Sequence, residues 1–146
     1  MSELNEVLGP ETVVIIQEDG KDKEYTLSPI SLDVERDFCT WMRARVRQEI
    51  IKDRLMLAEE DYHGALAAFY ERCAGGRYDW PSVFWFEILK RREGRVKLLA
   101  LLLKADKPRM GERAIGKLWD DHTEEFRRAM DESLGWADVD PTAPAK

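Results

Sequence analysis

Two periods of hydrophobic and polar residues divide this chain: a strand-like stretch from Thr12 to Leu27, and apolar residues recurring every three or four positions from Leu32 onward. Thr12-Val-Val-Ile-Ile-Gln17 and Glu24-Tyr-Thr-Leu27 flank the polar turn Glu18-Asp-Gly-Lys-Asp-Lys23, with Asp19-Gly20 at its corner. This predicts a small β-hairpin. Val13 and Ile15 alternate with Val14 and Ile16, so the first strand is apolar on both sides and is expected to be half covered by helices rather than freely exposed. The second strand places Tyr25 and Leu27 on one face, and Pro29 ends it because proline cannot donate to a ladder. Two strands alone are marginal, so they call for a helix, or a strand from a partner, to cover them.

Ser31 is a good N-cap, with Asp33 and Glu35 in the first turn where the helix dipole favours acid. A first helix follows to about Leu57, its stripe formed by Val34, Phe38, Trp41, Met42, Val46 and Ile50. A second helix carries Tyr62, Leu66, Phe69, Tyr70 and Cys73 and stops at Gly75-Gly76. Asp79-Trp-Pro-Ser82 restarts the chain with proline near the first turn. The third helix is predicted over about 80–103, with Phe84, Ile88, Leu89, Val96, Leu99 and Leu103 as its stripe. Gly94 is either a weak point or a close-packing site within it. After the loop Lys104–Gly111, a fourth helix presents Ile115, Leu118, Trp119, His122, Phe126, Ala129, Met130 and Leu134, and Gly135 caps it. The predicted class is mainly α with a small N-terminal β-hairpin, an α+β chain in which the hairpin packs on a bundle of about four helices. Residues 1–11 are expected to be flexible, 12–135 to form one domain, and 136–146, small and proline-bearing, to be disordered.

Composition narrows the classes of function. A chain of 146 residues, 44% hydrophobic, suits a single core. No apolar run approaches the roughly 20 residues that span a bilayer, and the acidic start, Met1 to Glu6, is unlike a secretory signal. A cytoplasmic protein with no membrane partner is expected. Cys39 and Cys73 lie inside helical patterns without a metal-site neighbour and read as reduced, buried thiols. The net charge of -6 is uneven: both ends are acidic, while Lys90-Arg-Arg-Glu-Gly-Arg-Val-Lys97 is locally basic. That patch is either the solvated face of one helix or a contact surface. Nucleic acid is disfavoured as its partner, because both acidic ends would repel a phosphate backbone.

Catalytic chemistry finds little footing. Glu60-Asp-Tyr-His63 has the spacing used in di-iron bundles, but those need a second such pair and two further carboxylates, and His122-Thr-Glu-Glu125 reverses the order. Neither histidine belongs to a nucleophile motif, and no glycine-rich phosphate loop is present. Asp19 and Asp22 around Gly20 lack the ligand alternation and closing glutamate of a calcium loop. The expectation is a non-enzymatic chain with no cofactor and no metal.

The order of parts carries a resemblance. A short hairpin ending in Tyr25-Thr-Leu-Ser-Pro-Ile-Ser-Leu32 leads to a helix with Phe38 and Trp41. Then come Arg92-Glu-Gly94, Leu98-Leu-Ala-Leu-Leu-Leu103, Lys107-Pro-Arg-Met110 and a last amphipathic helix. Over about Thr12 to Leu134 this resembles the tail assembly chaperones of long-tailed bacteriophages. The resemblance implies a protein that binds the tape measure protein, shields its apolar helices and helps recruit tail tube subunits. Two other classes share this size and build: a structural virion component, such as a head–tail connector or minor tail protein, and a host-directed protein-binding adaptor. Homo-oligomerisation fits each of them. The candidate partner-binding residues are the aromatics Trp80, Trp85 and Phe86 and the cations Arg91, Arg92 and Arg95, although aromatics crowded at a helix start also serve to complete a core.

Overall fold

The computed structural model describes residues 11–80 and 83–135. The hairpin pairs β1 (Thr12–Glu18) with β2 (Lys21–Leu27) in antiparallel register, Thr12 opposite Leu27 and Glu18 opposite Lys21. Only Asp19 and Gly20 form the turn, both at positive φ (52° and 74°), the paired left-handed geometry whose twist matches that of the strands. The strands are therefore longer and the turn tighter than the polar run suggested. The charges of Lys21, Asp22 and Lys23 are tolerated in β2 because their side chains are exposed.

Among the described residues six α-helices follow: α1 (Leu32–Lys52), α2 (Glu59–Ala74), α3 (Val83–Leu89), α4 (Arg92–Leu103), α5 (Glu112–Asp121) and α6 (Thr123–Ser133). The class is thus α+β with a hairpin ahead of helices, as predicted, but the third and fourth predicted helices are each broken in two. The first break falls at Lys90 and Arg91, whose N–H groups reach back only three residues, to the carbonyls of Glu87 (3.2 Å) and Ile88 (3.1 Å). There α4 turns so close to the end of α3 that a Cβ on Gly94 would collide with the Ile88 carbonyl. Of the two roles open to Gly94, close packing is the one observed. The second break is at His122 (φ −135°, ψ 42°), where Thr123 Oγ1 donates to the Trp119 carbonyl at 2.6 Å. No glycine or proline marks it, so an uninterrupted helical period ran straight through. At the N-terminus of α1, the Val34 N–H donates to Ser31 Oγ at 3.2 Å, the expected cap. Helix α1 ends at Lys52 and gives way to a 3-10 turn, Asp53–Met56, instead of running to Leu57.

The described residues fall into two compact units, one drawn from 11–34 and 95–135 and the other from 35–80 and 83–94. In the first, hereafter the hairpin unit, β1 packs against α6. Thr12 Oγ1 lies 3.3 Å from Ser133 Oγ, and the Tyr25 ring meets Phe126 edge to face at 5.6 Å. Its buried side chains are largely aliphatic, with Leu27, Leu98, Leu99, Leu102, Leu103, Phe126 and Met130 almost or fully inaccessible. In the second, the aromatic unit, Phe38, Phe69, Tyr78 and Trp85 are buried; Phe38 and Trp85 both meet the Trp80 ring, and Phe69 meets Tyr78. The expectations for the flexible start and the disordered tail fall outside the described residues, Glu11 apart. No helix among the described residues is long and apolar enough to cross a membrane.

Candidate functional site

The predicted aromatic anchors do not share one surface. Trp80 is half-buried, its ring edge to face with Phe38 at 5.8 Å and with Trp85 at 4.2 Å. Trp85 is only 3% exposed, so it serves as interior and not as an anchor. Phe86 is exposed, 4.5 Å from the Trp85 ring, and Phe84 is exposed on the other side. The buried stripe of α3 is therefore Trp85 and Leu89: Leu89 was expected there, whereas Trp85 takes the place given to Phe84, and Ile88 is half-buried. The largest side chain, with the most apolar area to withdraw from water, takes the interior.

The basic patch separates in the same way. Arg95 is buried against Asp131, its Nη1 donating to Oδ1 at 2.8 Å, which makes it a structural cation within the hairpin unit. Arg91 is exposed with a guanidinium nitrogen 3.9 Å from Glu93, Arg92 is exposed, and Lys90 pairs with Glu87 at 3.3 Å. Glu93 also accepts a bond from Arg45. Much of the positive charge is answered by acids nearby. Arg91 and Arg92 are the patch arginines on the surface.

A different surface emerges at the end of α1. The 3-10 turn Asp53–Met56 has no buried residue, and Arg54 lies over the Tyr62 ring at 5.3 Å, which steadies the turn by its cation. Leu55 and Met56 stand out as a result, 96% and 85% exposed, followed by the exposed Leu57 and preceded by the exposed Ile51. Beside them a shallow depression of about 400 Å³ is lined by Arg45, Gln48, Glu49, Ile51 and Lys52. A run of three exposed apolar residues is normally avoided unless it meets another molecule. Extending the first helix to Leu57 hid this signal, because a helical period assigns Leu55 to a face and never tests whether anything packs on it.

The first strand is half covered, as expected of a strand apolar on both sides. Val14 and Ile16 are buried with Tyr25 and Leu27, but Val13 and Ile15 are 53% and 58% exposed. Only one face of β1 is covered. At the turn, Glu18 bonds Lys23 at 2.8 Å and stands 3.8 Å from His122, which together hold its carboxyl below the usual range, Lys23 contributing most.

His63 sits 3.6 Å from Glu59 one helical turn away, not from Glu60. Among the described residues no three histidine, cysteine, aspartate or glutamate side chains come together as a metal-binding group would. Cys39 is buried, which pushes its thiol pKa up, and Cys73 is half-buried. No protein family matches the chain, and no curated protein or solved structure is similar to it.

Proposed function

We propose that this protein works without catalysis, by lending an apolar surface to another polypeptide, in the manner that the resemblance to phage tail assembly chaperones implies. The client would be an apolar helical segment of a tape measure protein, and tail tube subunits would be recruited in turn. One observation carries this reading: the exposed run Leu55-Met56-Leu57, with Ile51 beside it, on a turn that buries none of its own residues. An amphipathic client helix laid along such a run would dehydrate it, its polar rim meeting Arg45, Glu49 and Lys52 around the depression.

Affinity capture from cells expressing the whole gene cluster tests it. The wild-type chain should retain a long, helix-rich protein, and the Leu55→Asp/Met56→Asp double variant should lose it while keeping its fold. Retention of a portal or tube protein alone would favour the structural virion component. Retention of one host factor would favour the adaptor.

A further inference from the structure

The two edges of the hairpin are treated differently, and the difference can be traced atom by atom. With a two-residue turn, Glu18 and Lys21 exchange backbone hydrogen bonds, and so does every second pair along the ladder. Val13, Ile15 and Gln17 of β1, and Asp22, Glu24 and Thr26 of β2, therefore aim their N–H and C=O groups away from the partner strand. The edge of β2 confirms this alternation. The Thr26 N–H donates to Asp106 Oδ2 at 2.9 Å, and the Ser28 N–H to the Leu102 carbonyl at 2.9 Å. That edge is further guarded by Lys21, Asp22, Lys23 and Glu24, charges of the kind that discourage strand pairing. Among the described residues, no backbone hydrogen bond beyond the hairpin itself reaches Val13, Ile15 or Gln17. From Thr12 to Gln17 β1 carries no charge, and Val13 and Ile15 are exposed.

We infer that the outer edge of β1 is a homodimerisation edge, at which β1 of a second copy pairs antiparallel to extend the two strands into four. The edge selects a copy of itself by complementarity. In the register that sets Val13 opposite Ile15 of the second copy, Val14 faces Val14, Thr12 faces Ile16, and Glu11 faces Gln17. No two acids are opposed, and apolar side chains meet apolar ones. Moving the centre to Ile15 would put Glu11 against Asp19 and Val13 against Gln17, and moving it to Val13 would put the charge of Glu11 against Ile15, so the register centred on Val14 is the one favoured. One two-fold contact satisfies the open groups of both chains at once. A single strand pair is a small interface, so the dimer is weak, with a dissociation constant on the order of 10–100 µM. This inference does not depend on any client.

Sedimentation velocity and amide hydrogen exchange on the full chain test it together. Self-association should rise with concentration. The amides of Val13, Ile15 and Gln17 should exchange freely in dilute solution and about three- to tenfold more slowly at several hundred micromolar, as such a dissociation constant requires, while those of Val14 and Ile16 are protected throughout. Ile15→Lys places a charge on the edge, and Gln17→Pro removes an outward donor that the hairpin does not use. Each should return the chain to monomer while leaving the circular dichroism and the Val14 and Ile16 protection intact. A monomer at every concentration would overturn the inference. So would a dimer that survives both substitutions, or edge amides that slow only when a different polypeptide is added.

Discussion

The hairpin unit and the aromatic unit spend their apolar residues in opposite ways. In the hairpin unit the leucines of α4 and the inner face of α6 are withdrawn from water, and Val13, Ile15 and Leu32 are its large apolar residues on the surface among those described. In the aromatic unit Phe38, Phe69, Tyr78 and Trp85 form the interior, yet Ile51, Leu55, Met56, Leu57, Tyr70, Phe84 and Phe86 are left outside. One unit is built mainly as a scaffold and the other carries excess apolar surface. The contrast teaches that burial, not hydrophobicity, separates structure from contact surface.

The largest test of this contrast sets an interior residue against an exposed one. Phe126→Ala should lower the unfolding free energy by about 3–5 kcal/mol, because it empties a fully enclosed site against Tyr25, whereas Leu55→Ala should shift it by less than about 0.5 kcal/mol. Urea denaturation of the two variants measures both. If Leu55→Ala proved as damaging as Phe126→Ala, the turn would be structural and the contrast would fail.

Next in size is the junction between α3 and α4. Gly94→Ala drives a methyl into the Ile88 carbonyl, backbone that cannot swing aside, and should be destabilising by about 1–3 kcal/mol. Gly64→Ala in α2, where the new methyl meets nothing, should be neutral or slightly stabilising through helix propensity. In thermal melts the midpoint should fall for Gly94→Ala and hold or rise slightly for Gly64→Ala.

The smallest effect is electrostatic and has opposite signs in the two units. Glu18, in the hairpin unit, has a lowered folded-state pKa, so its contribution is present above the unfolded value and is lost as pH falls through the folded one. Glu35, in the aromatic unit, has its pKa raised by burial, so its ionised form opposes folding and acidification through the folded value relieves that opposition. Stability measured against pH should lose part of its acid fall in Glu18→Gln and fall more steeply in Glu35→Gln. Equal slopes in both variants would remove this distinction.

The hairpin, its Asp19-Gly20 corner, the Ser31 cap and the stop at Gly75-Gly76 were all legible in the sequence, because each follows from local backbone preference. The leucine-rich centrality of residues 98–103 was legible too, since a segment apolar all round has no solvent face to offer. The breaks at Lys90–Arg91 and at His122 were not. At the first, Gly94 hinted at a weakness without telling a flexible site from a crowded one, and at the second a non-helical residue sits where no breaker stands. Arg95 read as part of a positive surface because its partner, Asp131, is 36 residues away.

The order of elements, the class of fold and the residues able to fill a core were determined by the sequence itself, through period, caps and turn chemistry acting over a few neighbouring positions. Which of those apolar residues are enclosed was decided only by tertiary structure. Val14 and Val13 are chemically the same side chain one position apart, and so are Leu103 and Leu55 at similar points of helical patterns. A packed neighbour covers one of each pair and leaves the other to water, and that outcome depends on segments brought together from distant parts of the chain.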